Sequence, residues 1–281
     1  MNMDLKDFSL VTGEGLMTAG FEAGAGGALV CVHGLSRNAR DFERVAEQLA
    51  GPHRHVLAYD VYGRGESSWL PRPELYDFPT YVGQAIALLT ARGMTGVDWL
   101  GTSMGGLIGL ALASSVPGLI RRLILNDVGP FIPTASLQGM RDAAVDPNFS
   151  DMGVVEQVLR QRHADFGPID DAGWRRMAET SVRPREGGGW RLHFDPAIYN
   201  GLKTSKPADV VLWDLWAKLP RDLPVLVLRG ETSALLPRAT ALGMVASRPG
   251  VTLAEIPQCG HAPSLYPPDQ IRVIADWLAL A

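Results

Sequence analysis

The stretch "VDWLGTSMGGLIGLALASSV", residues 97–116, decides the fold. It begins as a short apolar run, "VDWLG" (97–101), and continues from Met104 at helical spacing. A buried strand that turns at once into a helix is half of a βαβ unit. The turn reads Gly101-Thr102-Ser103-Met104-Gly105, a G-x-S-x-G pattern. In such an elbow the serine occupies a tight, strained kink, and small neighbours let the backbone fold back on itself. Ser103 would then project its hydroxyl into a cleft as a nucleophile. Met104 would open the helix, where free amides and the dipole favour developing negative charge. Its N–H is therefore a candidate oxyanion donor.

The same grammar extends in both directions. "ALVCVH" (28–33), "HVLAYD" (55–60), "RLILND" (122–127), "PVLVLRG" (224–230) and "VTLAEIP" (251–257) read as further strands. Most are continuously apolar, as expected when helices cover both faces of a parallel sheet. Helical spacing recurs in 39–50, 79–93 and 269–280. The opening "FSLVTGEGLMTAGFEAG" reads as an antiparallel hairpin at the start of the sheet. The expected architecture is α/β, with a mostly parallel eight-stranded sheet flanked by helices. After Asp127 the alternation stops. Residues 131–217 carry helical patterns at 154–166, 170–182 and 210–219 but no strand-length apolar run. This segment is expected to form a helical cap inserted after the sixth strand. The core would comprise residues 1–130 and 218–281.

Two more loops follow strands and carry chemistry. "HGLSRNARDF" (33–42) should supply a second oxyanion donor, the backbone N–H of Leu35. His33 would pack beneath that loop, and Arg37 could anchor a substrate carboxylate at the entrance. "PQCGHAPSLYPP" (257–268) places His261 at a strand end, where an imidazole can serve Ser103 as general base. No histidine pair has metal-ligand spacing with a further ligand, so no metal is expected, and a serine nucleophile with a histidine base implies no organic cofactor.

Taken together, "HG", "YDVYGRGESS" (59–68), "GTSMGG", the insertion, "LRGETS" and "CGHAP" resemble the α/β-hydrolase superfamily over nearly the whole chain. The resemblance implies a catalytic acid between Ser103 and His261 in sequence, normally just beyond the seventh strand. The family's loop there looks like "RGxxSD", whereas this chain reads "RGETSA", with Ala234 at the acid's position. Three accounts stay open. Asp127, at the end of the preceding core strand, could serve, as an earlier strand end does in some superfamily members. Ala234 could be an engineered replacement of the acid. Glu231 could stand in, or the chain could work as a Ser–His dyad.

The resemblance implies a serine hydrolase cleaving a carboxylic ester, lactone or thioester through an acyl-enzyme. Carbon–carbon bond hydrolysis and perhydrolysis on the same scaffold are alternatives. So is a non-catalytic ligand sensor that has lost its acid. Trp213 and Trp216, one helical turn apart, are expected to face an apolar cleft beneath the cap. The formal charge of −4 over 281 residues gives no reason to expect nucleic acid or an anionic membrane as partner. A small-molecule ester-like substrate is the expected partner, with a homodimer left open. No apolar stretch is long and charge-free enough to span a bilayer, and the acidic start does not read as a signal peptide. Two lone cysteines suit a reducing cytoplasm.

Overall fold

The computed structural model describes residues 4–12, 15–142 and 147–280. Eight strands form one sheet: β1 (Lys6–Val11), β2 (Met17–Gly24), β3 (Gly27–Val32), β4 (Arg54–Tyr59), β5 (Val97–Thr102), β6 (Ile120–Asn126), β7 (Val225–Gly230) and β8 (Val251–Ile256). Their spatial order is β1-β2-β4-β3-β5-β6-β7-β8. β1 and β2 pair antiparallel, as do β2 and β4, and every later pairing is parallel. The expected opening hairpin is β1–β2; its residues 13–14 lie outside the described set.

Continuous apolarity in the strands has a direct structural cause. Along β3, Val30 and Val32 enter one core cluster while Leu29 and Cys31 enter the other. Side chains alternate across a strand, so a strand covered on both faces must be apolar at every position. The first cluster takes in Leu88 and Leu89 of α2 (Phe78–Ala91) and Ile108 and Leu110 of α3 (Met104–Ser115). The second takes in Val45 of α1 (Glu43–Leu49) and Ile274 and Trp277 of the C-terminal helix (Pro268–Leu280).

Between β6 and β7 the chain leaves the sheet. Residues 131–217 contain α4 (Thr134–Asp142), α5 (Met152–Arg162), α6 (Asp171–Ser181) and two single-turn helices, α7 (Asn200–Thr204) and α8 (Trp213–Ala217). Two short antiparallel ladders join them: Val182–Pro184 with Trp190–Leu192, and Phe131–Ile132 with Val210–Val211. The first ladder brackets the Gly-rich run 187–189, all three of whose glycines have positive φ. After β7 comes α9 (Arg238–Ser247), a helix the sequence pattern does not announce.

The sheet places the C-terminal ends of its parallel strands together. β3 has β4 on one side and β5 on the other, so strand order reverses there. In open α/β sheets ligands bind beyond the strand ends at such a reversal. The loops after β3, β5, β6, β7 and β8 all converge on that edge.

Candidate active site

Ser103 is where strand becomes helix, and its backbone bears the strain of that turn. Its φ of 53° and ψ of −115° fall where a side chain costs on the order of 1–3 kcal/mol. The turn closes only because its flanks are glycine. A methyl on Gly101 would overlap the Gly105 backbone, and one on Gly105 would overlap Val32. The Ser103 carbonyl then accepts from Gly106 and Leu107, which fixes the kink to α3.

The Ser103 hydroxyl meets His261. Nε2 of His261 lies 2.9 Å from Ser103 Oγ, and Nδ1 lies 2.7 Å from Asp127 Oδ2. A carboxylate can only accept, so Nδ1 carries the proton and Nε2 presents its lone pair to the serine. Asp127 is fully buried and follows β6 directly. Its other oxygen accepts from the Gly230 amide at 2.8 Å, and Oδ2 also accepts from Ser233 Oγ at 2.6 Å. Ser233 in turn accepts from the Leu236 amide at 3.1 Å. A buried carboxylate with these donors has its oxygens satisfied.

The carboxylate next to His261 is therefore that of Asp127, the first of the three arrangements the sequence leaves open. Ala234 lies at the rim of the site, where its carbonyl accepts from Ser136 Oγ at 2.8 Å. With Asp127 on the imidazole, the geometry leaves no vacancy at 234 that a substitution is needed to explain. Glu231 does not reach His261 Nδ1; it accepts from the Gln258 amide at 3.1 Å and braces the histidine loop.

The loop after β3 approaches Ser103 closely: a methyl on Gly34 would lie 3.6 Å from Ser103 Cβ. Buried His33 holds this loop from below. It accepts from the Val61 amide through Nε2 and donates from Nδ1 to the Gly34 carbonyl. Burial pushes its pKa down to about 3, so it stays neutral. Arg64, fully buried, donates to the Leu35 carbonyl at 2.8 Å. Leu35 and Met104 both border the hollow next to Ser103. Met104 begins α3, so its amide has no intrahelical partner to satisfy.

The inserted segment also reaches the site. Asp165 accepts from the His261 amide at 3.0 Å through its carboxylate and from the Gly260 amide through its carbonyl. His163 stacks on Phe166, with ring centroids 4.2 Å apart. Burial, with nearby Arg37, Arg162 and His261, holds its pKa well below the usual histidine range.

Two of the three expected substrate contacts, the tryptophans, are corrected. Arg37 borders the smaller hollow at Ser103 but is buried, with Nε and Nη2 on the Asp41 carboxylate and Nη1 on Ser181 Oγ, so it ties the loop after β3 to α6. Trp216 is buried and donates from Nε1 to Ser247 Oγ, at the end of α9. Trp213 lies against Gly243 of the same helix. Among the described residues bordering the two hollows at Ser103, neither tryptophan appears.

Those hollows differ in character. One, of about 690 Å³, runs from Ser103 between α3 and the inserted segment and is bordered by Leu107, Ile132, Leu137, Leu212 and Leu215. The other, of about 360 Å³, contains His261, Arg162, His163, Asp165 and Thr232. Among the described residues no three His, Cys, Asp or Glu side chains are grouped to hold a metal ion.

Residues 29–272 match the alpha/beta hydrolase family. The chain belongs to that family. The hydrolase is 37% identical over 252 residues to a 3-hydroxybutyrate-oligomer hydrolase of Cupriavidus necator, covering 87% of this chain and 86% of the relative. It is 28% identical over 233 residues to a 2-hydroxymuconate semialdehyde hydrolase of Pseudomonas putida, covering 81% and 78%. The solved structure of an alpha/beta hydrolase from Novosphingobium aromaticivorans superposes with a TM-score of 0.88 at 33% identity, with both chains fully covered. Among the described residues no helix is long and apolar enough to cross a membrane.

Proposed function

We propose that this hydrolase cleaves carboxylic esters through an acyl-enzyme on Ser103. The observation that carries the reading is the hydrogen-bonded chain Ser103–His261–Asp127, with contacts of 2.9 Å and 2.7 Å. His261 takes the hydroxyl proton as Oγ attacks the carbonyl carbon. The Leu35 and Met104 amides receive the oxyanion, and preorganised donors of this kind are commonly the largest catalytic term. The protonated imidazole, stabilised by Asp127, then donates its proton to the departing alkoxide. Water enters, gives a proton to Nε2 and attacks the acyl carbon, which releases the acid and restores Ser103. The inserted segment, residues 131–217, acts as a cap that walls this chemistry from solvent.

The ester reading draws support from the relative whose name specifies an oligomer of a hydroxy acid. A second reading, cleavage of a carbon–carbon bond beside a ketone, draws on the 2-hydroxymuconate semialdehyde hydrolase. Both use the same serine and histidine, so substrate decides between them. The test is a side-by-side rate measurement on p-nitrophenyl butyrate, the dimer of 3-hydroxybutyrate and 2-hydroxymuconate semialdehyde. Ester cleavage that disappears in Ser103→Ala is expected. Turnover of the semialdehyde alone would replace the ester reading with the carbon–carbon one.

A further inference from the structure

The two hollows meeting at Ser103 are not equivalent for an ester, and the position of His261 tells them apart. The general acid must reach the leaving oxygen, so the hollow containing His261 receives the alcohol and later the water. Ser103 and Leu35 border both hollows, and the acyl group must occupy the other one, which holds Met104 but not the histidine. That assignment rests on the ester reading above.

The acyl hollow carries its own ruler. Met104, Leu107 and Ala111 all border it, at positions i, i+3 and i+7 of α3. They share one face of the helix, so the hollow follows α3 away from the nucleophile. From Ser103 to Ala111 the axial advance is about 12 Å, at about 1.5 Å per residue. An extended chain advances roughly 1.2 Å per bond, a third of the roughly 3.6 Å spanned by a three-bond peptide residue. The face thus accommodates about ten bonds. Its opposite wall includes Ile132, Leu137, Leu212 and Leu215, and it opens to solvent beside the exposed residues 205–209, where Lys206 and Asp209 border it and Arg141 is held by the carbonyls of Leu202 and Ser205. Such a wall favours methylenes and offers little to a row of ester carbonyls, whose desolvation without partners is costly.

We infer that the hydrolase is selective for unbranched, medium-chain acyl groups of about eight to ten carbons, laid along α3 from Ser103 to Ala111. A 3-hydroxybutyryl oligomer of equal length would fit the space but not its chemistry.

The test holds the leaving group constant. kcat/KM is measured on p-nitrophenyl acetate, butyrate, hexanoate, octanoate, decanoate and dodecanoate, with 3-hydroxybutyrate trimer as a separate arm. Each buried methylene is worth about 0.8 kcal/mol, or about fourfold. The expected profile rises by up to that factor per carbon as far as octanoate or decanoate, then levels where the chain emerges into water. In Ala111→Trp the ratio of decanoate to butyrate kcat/KM should fall about thirtyfold; in the milder Ala111→Leu, which suits a helix, it should fall severalfold. A profile that peaks at acetate or butyrate overturns the inference and leaves the ester reading standing. Two folded variants with an unchanged ratio overturn the path along α3. A trimer rate above that of decanoate gives the channel to an oligoester and removes the alkanoyl assignment. Failure to cleave any ester would remove the ester reading itself.

Discussion

Replacing Asp127 by Asn isolates what the buried acid does. The carboxylate takes donors at both oxygens: the Gly230 amide at one, Ser233 Oγ and His261 Nδ1 at the other. An asparagine has one acceptor and one donor end, so it must disappoint one side. If its NH₂ faced Gly230, two N–H groups would meet in a buried place, and a backbone amide cannot change its role. The other orientation costs less, because Ser233 can rotate and the imidazole can change tautomer. Nδ1 then accepts, Nε2 carries the proton, and Ser103 has no base. The same exchange in a serine protease triad lowers turnover by about 10⁴, equivalent to about 5.4 kcal/mol of transition-state stabilisation. Because the substituted group touches neither hollow, KM should stay within about threefold. Stopped-flow release of p-nitrophenol gives kcat and KM, and thermal unfolding shows whether the variant is folded. A folded Asp127→Asn enzyme with kcat within tenfold of the parent would refute the assignment of the acid.

Three further outcomes follow from the same geometry. Ala234→Asp should leave kcat within about threefold, since the imidazole already has its carboxylate; a gain of orders of magnitude would mean that Asp127 is only structural. Ser233→Ala removes a donor to a charged group, worth about 1.5–3 kcal/mol. It should lower kcat about tenfold with little change in KM; a loss of stability with kcat unchanged would deny it a positioning role. Stability should decline as pH falls below 6.5. His33 is neutral when folded, its pKa held at about 3 by burial, but binds a proton when unfolded near 6.5. Its contribution is present above 6.5 and is lost on acidification, at about 1.4 kcal/mol per pH unit. Asp60, raised by burial to about 6, opposes this between its folded value and its ordinary 3.8. It is one group against His33 and His163 together, so the sign holds. In His33→Gln the slope of unfolding free energy against pH should be shallower; an equal slope would exclude His33 as a source.

Much of this architecture is written in local pattern. The elbow at Ser103 is legible because strand, glycines and helix are contiguous, and the helix's first amides come with it. The acid is not, because its identity depends on which strand ends are neighbours. β7 pairs with β6 so that Leu228 lies opposite Asn126, and the Asp127 amide bonds to the Leu228 carbonyl. That register places Asp127 beside Gly230 and Ser233, about a hundred residues later in the chain. A loop motif read alone points to position 234 instead. The role of Ser233 is not legible for the same reason: its partner is distant in sequence. The tryptophans show the limit of a helical stripe. Spacing puts Trp213 and Trp216 on one face but does not say what the face meets, and here it meets α9. That helix is itself hard to read, because "RATALGMVAS" has Gly243 in its interior and little amphipathic contrast.

The most direct test of the account is to catch the intermediate. The hydrolase is mixed with p-nitrophenyl octanoate, quenched in acid within one turnover and digested, and the peptide containing Ser103 is weighed. The account predicts a peptide heavier by one octanoyl group, with the modification on Ser103. Ester turnover with no added mass on Ser103, persisting in Ser103→Ala, would contradict it.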